Sequence, residues 1–190
     1  MKEKASPTES TKQNRRRRWG AVLGALLCCG ALLGLGQAGP MAAVAGAIAE
    51  LVGRELLRFS PEVIVENGGD IFLCSSQRRR VGIFAGPSPF SNRIAIEVES
   101  AGKPLGVCTS AGTVGHSISF GRADAACVIS RDAALADAAA TAVGNLVQSE
   151  EDIPRAIEFA RSVEGVIGAV VIKGKHMGAW GEIEVVPIGI

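Results

Sequence analysis

The stretch Ala136-Asp137-Ala138-Ala139-Ala140-Thr141-Ala142 constrains this chain more than any other. Alanine has the highest intrinsic helix propensity, so the run has one local solution, a helix. On a helix Asp137 and Thr141 lie on one face, about one turn apart. The alanines leave little bulk around the pair, so a large polar ligand or a hydrated cation can approach the backbone there. The same spacing is compatible with two polar groups that face water or bond back to the carbonyl one turn earlier, and at this point both readings stay open.

Around that helix the chain reads as turns, short strands and a few helices. Pro40 suits a first helical turn, and Met41–Leu57 carries apolar residues at helical spacing, which predicts a buried helix closed at Ser60-Pro61. Val63–Val65 and Ile71–Leu73 read as strands around Glu66-Asn67-Gly68-Gly69-Asp70, where Asn-Gly-Gly supplies the positive φ angles of a tight turn. Further strands are expected at Arg80–Ala85, Ile94–Glu99, Leu105–Thr109 and Ala125–Ile129. Ser130 or Asp132 would cap the alanine helix and Gly144-Asn145 would end it. Glu151-Asp152-Ile153-Pro154 opens a last helix to about Val163, and Val166–Lys173 with Ala179–Pro187 form a closing hairpin through Gly174–Gly178, which makes His176 a surface turn residue. Strands outnumber helices and are mostly hairpin-linked, so the fold class is α+β with a mostly antiparallel sheet packed against helices.

A length of 190 residues fits one domain with a real core. With 47% hydrophobic residues and 24 glycines the chain is not of disordered composition. A net charge of +1 and 4% aromatics, with no tyrosine, give neither an electrostatic footprint nor a stacking platform for nucleic acid. The five cysteines, at 28, 29, 74, 108 and 127, are odd in number and form no CxxC pair, which argues against a disulfide framework and a structural zinc site. Cys74, Cys108 and Cys127 read as small buried hydrophobes in a reducing compartment. The amino terminus complicates that compartment. Residues 1–18 read as a disordered basic tail ending in Arg15–Arg18, and residues 19–36 as an apolar segment. Signal or membrane anchor through residues 15–35, buried helix and misassigned gene start are three open readings of it. Residues 37–190 then form the domain.

The loop Thr109-Ser110-Ala111-Gly112-Thr113-Val114-Gly115-His116-Ser117 joins two strands with hydroxyls, permissive glycines and an imidazole, and such loops can turn backbone amides toward a phosphate. It is neither a Walker motif nor a dinucleotide fingerprint, and a plain solvated connection has the same composition. No serine occupies a Gly-x-Ser-x-Gly elbow, and no cysteine has a histidine in a nucleophile pattern, so covalent hydrolase chemistry is unsupported. Magnesium takes oxygen ligands and binds through substrate phosphates, so one carboxylate and one hydroxyl from the chain can suffice when a phosphate completes the octahedron.

In order along the chain, Glu66-Asn67-Gly68-Gly69-Asp70, Thr109-Ser110-Ala111-Gly112 and Ala136–Ala142 resemble motifs of the ApbE superfamily, the FAD:protein FMN transferases. The segments Gly39–Glu50 and Gly115-His116-Ser117 resemble its short uncharacterised branch more closely. The resemblance implies an ApbE-like, T-fold-related domain. It implies that Asp137 and Thr141 are magnesium ligands, that Asn67, Gly68, Gly69 and Asp70 shape a flavin pocket, and that Thr109, Ser110, Gly112 and His116 line the same cleft. The implied ligand is FAD or FMN, or another phosphate-bearing small molecule, and the implied reaction moves FMN onto a Ser or Thr of an acceptor protein; no residue is assigned as catalytic. Two other functions stand beside it: a flavin- or phosphate-binding module that does not cleave its ligand, and a membrane-tethered interaction domain. The family's usual Lys-Gly pair is replaced by Val44-Ala45-Gly46, and its amino-terminal half has no counterpart here, so a truncated domain prone to self-association is expected. Family and cysteine usage place the protein in the cytoplasm, with the anchored or exported alternative above.

Overall fold

The computed structural model describes residues 41–113 and 119–189. Helix α1 spans Val44–Leu56, β1 Val63–Asn67, β2 Asp70–Cys74, β3 Arg79–Gly82, β4 Ile94–Val98, β5 Leu105–Ser110, and β6 Ala125–Ser130. The alanine helix, α2, spans Ala133–Asn145. A short 3-10 turn over Glu150–Asp152 leads into α3 at Ile153–Ser162. Strands β7 (Val166–Lys173), β8 (His176–Gly181) and β9 (Glu184–Pro187) complete the described chain.

Two sheets result. One has six strands in the order β1-β2-β5-β6-β7-β8 and the other three in the order β3-β4-β9, every pairing being antiparallel. The predicted α+β class with a mostly antiparallel sheet is what forms.

Alternation along the strands sorts the core into two layers. On one face of the large sheet Phe72, Cys74, Cys108, Ala126, Val128, Ala169 and Val171 pack against the alanines of α2 and against Ala156 and Ala160 of α3. On the other, Leu73, Val107, Cys127, Ile129, Val170 and Ile172 meet Ile83, Ile96 and Val98, from the small sheet and the segment that follows β3. Cys74, Cys108 and Cys127 are buried free thiols, as their surroundings in the sequence imply.

Close approach to the sheet explains the composition of α2. Gly106 of β5 lies so near Ala133 that a Cβ on the glycine would sit 2.9 Å from both the Ala133 nitrogen and its methyl. A helix held at that distance accepts little more than methyl groups. Asp132 caps it, accepting from the Leu135 N–H at 2.8 Å.

Two expectations are corrected. Helix α1 is not a buried helix: it turns Gly46, Ala49, Glu50 and Gly53 inward and leaves Val44, Ile48, Leu51, Val52 and Leu56 exposed. The reason is again proximity, because Gly46 abuts the Ala133 carbonyl and Gly53 the ring of Phe72, and no larger side chain fits either place. The carboxyl-terminal hairpin is also tighter than the sequence suggests. Its turn is Gly174-Lys175, with Gly174 at positive φ, and His176 is an exposed residue of β8 whose Nδ1 lies 2.6 Å from Glu150 Oε2. The run Ala179–Pro187 then divides between the two sheets. Among the described residues no helix is long and apolar enough to cross a membrane. The readings of residues 1–36 fall outside the described residues.

Candidate functional site

Helix α1 begins with a deficit. Its N-cap is Ala43, which has no side chain to satisfy the first N–H groups. The missing acceptor comes from α2: Asp137 Oδ2 takes the Gly46 N–H at 2.9 Å. Helix α1 returns the favour, since Glu50 Oε2 accepts from the Ala133 N–H at 2.6 Å, at the amino end of α2. Each helix thus places a carboxylate at the positive end of the other.

The β1–β2 turn meets the same corner. Asn67, at the end of β1, donates from Nδ2 to the Ala45 carbonyl at 3.2 Å. Gly68 and Gly69 both take positive φ, 67° and 100°, as the tight turn requires. A Cβ on Gly68 would meet nothing within 4 Å, so the turn has open space on its outer side. Asp70 then starts β2 on the helix-facing side of the sheet and is only 7% exposed.

Two carboxylates are therefore withdrawn from water close together. Burial, followed by the charge of Asp70, pushes Asp137 up to about 7 against the N–H groups of Gly46 and Ala45. Burial also pushes Asp70 up to about 6, with Glu66 adding to it, although Cys108 and the backbone of Thr109 pull the other way. The Cys108 thiol lies near both acids, donates to the Ala133 carbonyl at 3.3 Å, and is held well above its ordinary range, by burial first and then by the two carboxylates. Asp70 Oδ1 is fully buried and has no hydrogen-bond partner. A buried acceptor in that state is uncommon in a folded protein and demands a proton, a water or an ion.

The hydroxyl-rich loop is fixed at both ends. At its start the Gly112 N–H donates to the Ala123 carbonyl at 2.8 Å, and Thr113 Oγ1 donates to Asp124 Oδ1 at 2.9 Å. Asp124, 2% exposed, also accepts from the Gly174 N–H and the Lys173 ammonium, so its charge is fully engaged. At the far end Asn145 Oδ1 accepts from Ser119 Oγ and from the N–H groups of Phe120 and Gly121. Gly112, Gly121 and Gly144 stack so closely that a Cβ on either of the first two would run into the next one's carbonyl. Asn145 follows Thr141 by four residues, as Thr141 follows Asp137, and one stripe of α2 so connects the carboxylate corner to the loop.

Of the residues singled out in the sequence, the structure brings Asn67, Gly68, Gly69, Asp70 and Asp137 to one corner, with the partly buried Thr141 one turn further along α2. Ser110 is carried with Gly112 toward the far end of α2, where its Oγ lies 3.6 Å from a Cβ built on Gly144. Thr109 behaves differently. It stands opposite Cys127 with its side chain beside that thiol, on the sheet face away from the helices, and offers the site only its backbone. His116 lies outside the described residues. Glu50, Asp124 and Asn145 hold the site together and are not among the site residues that the sequence predicts. Asn145 was within reach of the sequence, as the third member of the Asp137, Thr141 spacing; Glu50 and Asp124 act through contacts far apart in the chain.

Residues 20–179 match the family described as AbpE bacteria. The chain belongs to that family. Among relatives of this AbpE-family chain, a UPF0280 protein of Methanothrix thermoacetophila is 49% identical over 146 residues, covering 76% of this chain and 61% of the relative. A UPF0280 protein of Methanosarcina acetivorans is 48% identical over 147 residues, covering 76% and 58%. One of Methanococcoides burtonii is 44% identical over 164 residues, covering 85% and 68%. The chain thus spans about 60% of the length of the first two. A solved structure, the apo form of the flavinyl transferase ApbE of Pseudomonas stutzeri, is similar at 19% identity and a TM-score of 0.49, covering 74% of this chain and 46% of that one.

The donor set of the AbpE-family corner fits a hard divalent cation. It holds two carboxylates and, one turn along, a hydroxyl, all oxygen, and it leaves one buried carboxylate oxygen without a partner. Among the described residues no three His, Cys, Asp or Glu side chains cluster.

Proposed function

We propose that this protein handles a flavin or another phosphate-bearing small molecule beside a divalent cation held by Asp137 and Thr141, and that the ligand is FAD, cleaved between its FMN and AMP halves. The observation that carries the proposal is the convergence of the Asn67–Asp70 turn, the first turn of α1 and Asp137 on one corner where two buried carboxylates oppose each other. Family membership and the resemblance of these motifs to the FMN transferases support the choice of ligand.

Asp137 has one oxygen on the Gly46 N–H and, as a carboxylate, retains acceptor capacity beyond that bond. Its place mid-helix and its cap contact fix its rotamer, so it offers oxygen in a set direction. Asn67 holds the β1–β2 turn against α1, and the open flank of Gly68 gives a ligand room to lie along the turn. Asp124 and Asn145 fix the described ends of the Gly112 loop at the far end of α2. Magnesium, when bound, would neutralise the charge that develops as the pyrophosphate bond breaks. The transferred FMN phosphoryl would pass to a Ser or Thr hydroxyl of an acceptor protein, with AMP leaving.

The test is incubation of the purified chain with FAD and magnesium, following bound yellow cofactor and AMP release. Cleavage that is lost in Asp137→Asn supports the transferase reading. Bound FAD with no AMP leaves the non-cleaving binding module, and no flavin or nucleotide bound at all overturns the proposal.

A further inference from the structure

We infer that Asp70 is a second carboxylate ligand of the cation site, so that the protein takes up a divalent cation before any flavin or nucleotide arrives. The inference rests on the cation reading of Asp137 and Thr141, and goes beyond it in adding a ligand and an order of binding.

Three observations carry it. Asp70 is 93% withdrawn from solvent by its 7% exposure, and its Oδ1 has no hydrogen-bond partner. Asp70 pairs across the turn with Asn67, which bonds to the Ala45 carbonyl, and Asp137 bonds to the next residue, Gly46, so both carboxylates are brought to the same first turn of α1. Among the described residues no ion pair joins a Lys or Arg to either acid, the nearby Lys173 being committed to Asp124 and Arg54 to Glu50. A buried pair of like charges with an unpartnered oxygen is a poor arrangement for structure alone and a good one for a doubly charged ion.

The number of carboxylates decides the order of binding. A site with one carboxylate and one hydroxyl gives a magnesium-sized ion too little charge to leave its water, and metal then arrives with the ligand's phosphates. Two carboxylates supply the charge in advance, and the ligand then meets a site already neutralised. In this protein Asp70 makes the difference because it opens β2 directly after the Gly68-Gly69 turn, where the ligand is proposed to lie.

Manganese titrated into the full chain, followed by loss of the free-ion EPR signal, tests this with and without FAD. The wild-type chain is expected to sequester one Mn²⁺ in the absence of flavin. Asp70→Asn is expected to weaken that binding by roughly 10- to 100-fold, while keeping binding when FAD is present. Thermal melting serves as the second readout: without metal Asp70→Asn melts no lower than wild type, and Mn²⁺ raises the melting temperature of wild type alone. Wild-type protein that takes Mn²⁺ only with FAD, or Asp70→Asn that binds as tightly as wild type without it, overturns the inference and leaves the Asp137, Thr141 site standing. Failure to bind Mn²⁺ under either condition overturns both.

Discussion

Asp137 has two duties that its position in the sequence does not separate. As the acceptor for Gly46 it completes α1, which explains a mid-helix aspartate among alanines with no ligand at all. What capping does not explain is the company of Asp70, since a second buried carboxylate disfavours the ionised cap. The consequence is a stability that depends on pH in an unusual direction. Both groups have folded values, about 6 and about 7, above the ordinary range near 4, so the folded chain binds more protons than the unfolded one between those values. Stability from this source is fully present below about pH 4 and is lost as pH rises through 6 and 7. Glu62 works the other way, held down to about 2 chiefly by the hydroxyls of Ser75 and Ser76, but its contribution is lost only below about pH 4.5. Metal-free protein should therefore melt several degrees higher at pH 5 than at pH 7.5, in buffers containing a chelator. A monotonic rise in melting temperature from pH 5 to pH 7.5 would contradict the burial of this pair.

At the scale of elements, α1 and α2 stabilise each other through exchanged carboxylates. Glu50 is the cleaner half of the exchange to test, because it is not one of the proposed cation ligands. Its Oε2 supplies the buried Ala133 N–H, and its ion pair with the half-exposed Arg54 contributes little by comparison. Glu50→Ala should cost about 1–3 kcal/mol in denaturant unfolding by leaving that donor unsatisfied, and Glu50→Gln, which keeps an acceptor, should recover most of it. Equal losses in the two variants would show that charge, rather than the hydrogen bond, holds the contact. The exchange also shows where the sequence was legible. The strands around the Asn67–Asp70 turn and the limits of α2 follow from turn chemistry and capping residues close in sequence. The inward face of α1 does not: its large apolar residues have the right period, but the tight contact with α2 and Phe72 selects its glycines and alanines instead.

At the scale of the whole molecule, the sheets and helices of the described residues follow one rule: the large sheet is covered by helices on one face and by a small sheet on the other. Alternation in Ile94–Glu99 and the buried run Ala125–Ile129 announce strands, but not that β9 leaves the hairpin for the small sheet, a choice made by its pairing with β4. The candidate site shows the same division. Asp137, Thr141 and Asn145 share a helical stripe that spacing alone gives, whereas the pairing of Asp70 with Asp137 joins residues on a strand and a helix brought together by the core. Thr109 marks the limit, since a β-strand alternates its side chains and only the register shows that its hydroxyl faces Cys127. The central claim is that this corner holds a divalent cation beside a flavin nucleotide. Anomalous scattering from crystals grown with MnCl₂ and FAD tests it most directly. The account predicts a manganese peak in contact with the carboxylates of Asp137 and Asp70 and the Thr141 hydroxyl, with the FAD pyrophosphate against it; FAD bound elsewhere, or well-ordered carboxylates with no peak between them, would contradict it.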